Sequence, residues 1–337
     1  MRSLKSIRDN VRKRRMRELL GSYRNRVWLL LILNLLGFLL LGRSAILPGM
    51  PDDEWVALDQ WVRTAVFAVV RPNKTTPVTY VDIDNALYRD TWGMPTVTPR
   101  DALVSMVSSL AQSGATVVVV DIDLAWGDAD PGLDEFLANH AGPAPLVFVR
   151  HLEETANGIR DIATPYDERF ENNGEWLKWA HAYFFSDGDG ALREWLPWLG
   201  VCDENTSRVL PAVATLTSEL TAGNSSARPD ISDCVSSEEL VAHPIIFTEE
   251  FGFVAAGENS GAAAFLVDPK SPARKLQAAY LLDGTAIDYA AMFNGRIAVL
   301  GGSHTAGQDL RLTPMGVLPG AVIQANTIIH AGPQLAS

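Results

Sequence analysis

Four consecutive valines running into an aspartate, in Thr116 to Asp123 (TVVVVDID), restrict the fold of this chain more than any other stretch. A strand apolar at every position must be covered on both faces, and in α/β proteins such strands are the central ones of a parallel sheet. A second strand, Val78 to Asp84 (VTYVDID), ends on the same paired carboxylates. Between them, Pro99 to Gly114 sets Leu103, Val104, Val107 and Leu110 at helical spacing, with Gly114 where a helix would stop. Strand, helix and strand in this order make a βαβ unit, right-handed by default. Ligands of open α/β sheets sit beyond the carboxyl ends of the strands, where both aspartate pairs fall.

Charge divides the 337 residues unevenly. Residues 1–26 carry ten Lys or Arg against Asp9 and Glu18, a surplus of eight; the whole chain has a net charge of −12, so the remainder carries −20. An acidic body does not suit nucleic acid, and the basic head needs another explanation. Val27 to Leu47 supplies it: 21 residues with Asn34 the only strongly polar one before a terminal Arg43 that can snorkel. That is a membrane-spanning length, and positive flanks stay in the cytoplasm. The expectation is a signal anchor contacting lipid, the N-terminus inside and the main domain outside; a cleaved signal peptide is the rival, without a clean small-residue cleavage site to support it. The two cysteines, Cys202 and Cys234, then read most simply as a disulfide.

The expected organisation is a basic tail (1–26), a transmembrane anchor (27–47), a membrane-proximal helix and linker (48–75) and an extracytoplasmic α/β domain (76–331). That domain has a mostly parallel central sheet flanked by helices, with an irregular insertion over about 151–240. Pro131 to His140 is a short helix after an acidic turn, and Pro145 to Arg150 a third strand. Residues 151–180 lose periodicity and read as loop or irregular helix. His181 to Trp198 has hairpin grammar around Asp187-Gly-Asp-Gly, and Leu210 to Leu220 reads as helix. Trp176, Trp179, Trp195 and Trp198 suggest core packing within the insertion, or a partner-docking patch. Short strands are expected over Ile245–Phe247, Phe251–Ala255 and Ala262–Val267. Near the C-terminus, Ala286 to Phe293 is a helix, Gly295 to Leu300 a buried strand, Gly301 to His304 a loop, and Pro319 to His330 a helix.

Three blocks resemble the second type of CHASE domain, the extracytoplasmic sensory module of bacterial cyclases, histidine kinases and protein kinases. They are VTYVDIDNALYRDTWGMPTVTPRDALVSMVSSLAQSGATVVVVDIDLAWGDAD, DGDGALREWLP, and FNGRIAVLGGSHTAGQDLRLTPMGVLPGAVIQANTI. The last is similar to that family's closing strand, small-residue turn, Asp and Thr-Pro loop, and Gln-Ala-Asn helix. The resemblance spans roughly residues 50 to 331. It implies a non-catalytic sensory domain in the bacterial inner membrane, single-pass, its main domain periplasmic. Signalling would run through its own helix or a partner subunit, in a homo-oligomer or hetero-complex. Family members normally continue into further membrane helices and an output domain, whereas this sequence stops at Ser337. The chain is therefore expected to be a piece of such a protein or a sensor-only subunit. A structural subunit of an envelope complex is the first alternative, and a metal-dependent phosphatase-like hydrolase the second.

The chemistry-bearing residues follow from these readings. Asp82, Asp84, Asp121 and Asp123 offer oxygen donors that suit Mg²⁺ or Ca²⁺, or else cap helices and bond loop amides. Four carboxylates without a cation would repel, so some must be paired, with Arg100 and Arg311 as candidates. The D-x-D of Asp82 and Asp84 resembles the nucleophile pair of haloacid-dehalogenase-like phosphatases, but Ala86 replaces the usual Thr or Val and no downstream Lys is evident. No catalytic residue and no cofactor is expected. Ser303 and His304 lie in a small-residue loop suited to anions, and Asp309 follows it. These seven residues are the candidate ligand contacts, between the ends of strands 78–84, 116–123 and 296–300.

Overall fold

The computed structural model describes residues 75–155, 158–186, 190–203, 206–223, 243–245, 273–283, 288–304, 309–313 and 316–335. The expected anchor Val27–Leu47, the membrane-proximal helix and the strands at 251–255 and 262–267 lie outside them. So does the Cys202–Cys234 pairing. Among the described residues, no helix is long and apolar enough to cross a membrane.

Six parallel strands form the central sheet: β1 (Val78–Ile83), β2 (Val117–Asp121), β3 (Leu146–Val149), β4 (Leu177–Ala180), β5 (Ala273–Gln277) and β6 (Ile297–Gly302). Their spatial order is β5-β1-β6-β2-β3-β4. The two strands read as a βαβ unit therefore do not touch. β6, the last to be synthesised, slots between them, with Val299 beside both Tyr80 and Val119.

The pleat sends alternate residues to opposite faces, and both faces are buried. Val81, Ile83, Val118, Val120, Leu146, Phe148 and Leu300 point to one side. There α1 (Arg100–Gln112), α2 (Pro131–Asn139), α3 (Asp167–Asn172) and α5 (Tyr289–Phe293) bring Leu103, Met106, Leu110, Leu133, Leu137, Phe170 and Phe293. Tyr80, Val117, Val119, Val147, Ile297 and Val299 point to the other. That face is covered by α4 (Val213–Ala222) and α6 (Gly320–Leu335) through Val213, Val322, Ile323, Ile328 and Ile329. Each such side chain removed from water contributes roughly 1.5–3 kcal/mol, which explains why the valine run fixes the middle of the sheet. Local signals set the helix ends: Asp130 accepts from the Leu133 amide at 2.8 Å with Pro131 next in line, starting α2.

The stretch 151–180 is not irregular. It holds a hairpin (Leu152–Thr155 with Gly158–Asp161), helix α3 and edge strand β4. The expected hairpin after His181 forms between Phe184–Ser186 and Leu192–Trp195. Leu210 and Pro211 belong to a strand (Thr206–Pro211) rather than to α4. The tryptophans do not form one cluster. Trp195 is fully buried against the α4/α6 face, whereas Trp179 stacks on Phe170 at 3.8 Å on the opposite one.

Candidate functional site

The carboxyl ends of β2, β3 and β6 open into a cleft of about 1000 Å³. Its floor is the first turn of α6, which supplies Gly320 and Gln324; a hairpin (Leu310–Thr313 with Gly316–Pro319) and the loops carrying Trp126 and Tyr183 border it. The cleft lies where the strand order reverses, since β6 interrupts the run from β1 to β2.

The four strand-end aspartates do not converge there. Asp82, only 2% exposed, takes the Tyr80 hydroxyl on Oδ1 at 2.8 Å and the Lys275 ammonium on Oδ2 at 2.7 Å. It is a buried ion pair braced across β1 and β5, closed to the attack on phosphate that the D-x-D spacing suggested. Asp84 is held by local structure: the Leu87 amide donates to Oδ1 at 2.9 Å and the Gln277 amide to Oδ2 at 3.1 Å. Neither residue lines the cleft. Among the described residues no three His, Cys, Asp or Glu side chains converge as a cation site, so the four-carboxylate metal arrangement does not form. The expected counter-ions differ too: Arg311 pairs with Asp309 at 3.2 Å, and Arg100 donates to the Trp126 carbonyl at 2.9 Å.

Asp121, Asp123, His304 and Asp309 do share the cleft. Asp123 accepts from the Ala125 amide at 2.7 Å and meets His151 Nδ1 at 2.5 Å. Asp121 stands at the end of β2 against Gly301, and burial, then the charges of Asp309 and Asp123, push its carboxyl up to about 7. Asp309 is displaced the same way by burial, against the opposing pull of Arg311 and the Gly320 amide. Its carboxylate fits because residue 320 is glycine: a Cβ there would come 2.1 Å from Oδ2. His304 stacks face to face on Tyr88 at 3.7 Å, and burial lowers its pKa despite the nearby charge of Asp82. Ser303 continues the sheet, its amide donating to the Ile83 carbonyl at 3.1 Å.

Several cleft residues carry no local signature. Trp126 is 62% exposed at the rim, its ring edge-on to His151 at 5.7 Å. Both follow strand ends directly, so their position just past β2 and β3 is the signal that marks them. Gln324 on α6 is 3% exposed, and among the described residues its Nε2 has no hydrogen-bond partner.

A doubly covered parallel sheet with a polar cleft at its strand ends defines a ligand-pocket α/β domain in architecture. Over residues 29–331 the chain matches the CHASE2 domain family, and it belongs to that family of extracellular sensory domains. Neither a curated protein nor a solved structure matches it.

Proposed function

We propose that this chain is the extracytoplasmic sensory part of a bacterial membrane signalling protein, anchored by Val27–Leu47, which binds its stimulus in the cleft and passes the change to its anchor. The observation that carries this reading is a direct connection between the cleft and the chain arriving from the anchor. Helix α6 lines the cleft with Gln324, and little more than one turn later its Ile329 carbonyl accepts the Thr76 amide at 3.0 Å. That carbonyl is available because residue 333 is proline, which has no N–H to close the helical i to i−4 bond. A ligand that shifts α6 therefore acts on residue 76, at the start of the segment running to the membrane. A stimulus that biases two arrangements of the domain would act through this element.

The placement is tested on intact spheroplasts. Added protease is expected to digest the acidic body, and Cys202 and Cys234 to resist alkylation until reduced. A body left intact, with both thiols free before reduction, overturns the reading.

A further inference from the structure

The cleft's own chemistry bears on what it binds, and the argument rests on its being the sensory site. Most charged groups that face it already have a partner among the described residues. Asp123 meets His151, Asp309 meets Arg311, and Glu154 accepts the Tyr183 hydroxyl. Arg150 is committed to Asp167 and Asp161. Burial, then the charges of Asp309 and Asp123, push the Asp121 carboxyl up to about 7, so a share of it carries a proton near neutral pH and can donate. A charged ligand would have to compete with these pairs for its counter-charge.

Two features are unspent. The Gln324 amide is 3% exposed, lines the cleft and has no partner for Nε2 among the described residues, and a buried donor left unmade is costly. Trp126 holds a 62% exposed ring at the rim. A lone exposed aromatic is ordinary; one that borders a cleft of about 1000 Å³ also lined by Thr96, Thr98, Tyr183 and Ser186 offers an apolar plate beside a ring of hydroxyls. A carboxylic acid donor, carboxylate acceptors, an amide and an aromatic plate match a molecule whose faces are C–H and whose edges are hydroxyl.

We propose that the cleft takes a neutral polyhydroxylated ligand of sugar type, its apolar ring face against Trp126 and one of its oxygens accepting from the Gln324 amide. The test uses the full chain, purified without sugar-headgroup detergents, and reads tryptophan fluorescence and thermal shift. One panel holds glucose, galactose, N-acetylglucosamine and their disaccharides, with dextran and soluble chitin fragments to separate a free sugar from a polymer. A second panel holds glutamate, lysine, spermidine and inorganic phosphate. At least one sugar is expected to bind saturably, with affinity reduced about tenfold or more in Gln324→Leu and in Trp126→Ala. Trp126→Tyr should retain most of it. Because Trp126 is exposed, its variants keep the test sound even if Gln324→Leu fails to fold. Sugar binding indifferent to both positions overturns the placement. Binding by the charged panel alone, lost in Gln324→Leu, overturns the ligand class while leaving the cleft as the sensory site. Silence from both panels overturns this inference together with the reading on which it rests.

Discussion

The same residue type at the ends of two strands that flank β6 does two different things, and the difference lies in partners that local sequence cannot reveal. Asp82 is charged and buried because Lys275 reaches it from a strand 193 residues further on. Removing the cation alone leaves an uncompensated buried carboxylate, so Lys275→Met is expected to destabilise the fold by about 3–5 kcal/mol in denaturant titration. Adding Asp82→Asn to that variant should recover a large part of the loss; no recovery would mean that Lys275 matters for packing rather than charge. Among the described residues, Asp121 has no such cation. Its folded-state pKa of about 7 lies above the ~4 of an unfolded aspartate, so the folded form keeps a proton that the unfolded form has released. The contribution to stability is complete below about pH 4 and is lost as pH rises toward 7. Asp121→Asn, uncharged throughout, should therefore gain stability relative to the parent as pH is raised across that window. A constant difference between the two melting curves from pH 4 to 7 would contradict the burial of this carboxyl.

At the level of elements, legibility followed burial. β2, α1, α6 and the strand at 297–302 are doubly covered or strongly periodic, and their apolar patterns located them; α2 was marked by the acidic turn and Pro131 before it. β4 (LKWA) and β5 (ARKLQ) sit at the two edges of the sheet, where, among the described residues, one flank of each is not paired with a strand of the sheet and charged side chains are tolerated. Their sequences accordingly lack the run that marks a central strand. Lys275 reads as a surface residue until Asp82 is seen beside it. The candidate site divided in the same way: Asp121 and Asp123 were visible as strand ends, whereas Gln324 is, among the described residues, one of four buried polar residues on α6, with Asn326, Thr327 and His330, and gains meaning only when α6 is laid against the cleft. What holds α6 there is a close approach at Gly301, where an added Cβ would lie 2.4 Å from that of Ala321. Gly301→Ala must push the helix off β6 and is expected to cost about 1–3 kcal/mol. Because the cleft floor would move with it, ligand affinity should fall as well. Unchanged thermal stability in that variant would show that α6 has slack at its first turn.

The whole molecule depends on a strand order that the chain completes late. β6 lies between β1 and β2, so β1 makes its pairing on that side with residues more than 200 positions away, an arrangement that commits the fold to non-local contacts and slow assembly. Without β6 the sheet falls into β5-β1 and β2-β3-β4, each with an open apolar edge, and Tyr80, Val117 and Val119 lose the cover of α6. Nothing in the two N-terminal strands forbids them from pairing directly; both are parallel, apolar and closed by aspartates, and the helix between them is long enough for an adjacent crossover. The fold of the truncated chain is thus an open competition between direct pairing and collapse. Direct pairing would bring the Asp82 and Asp121 ends together with no Gly301 between them and would still leave the α6 face bare, so collapse should win. A chain ending at Asn294 is expected to lose its sharp thermal transition, bind a hydrophobic dye and be digested rapidly by protease. A cooperative transition in that truncated chain would show that β1 and β2 can close on each other, and that β6 with α6 is an addition to a self-sufficient core rather than its keystone.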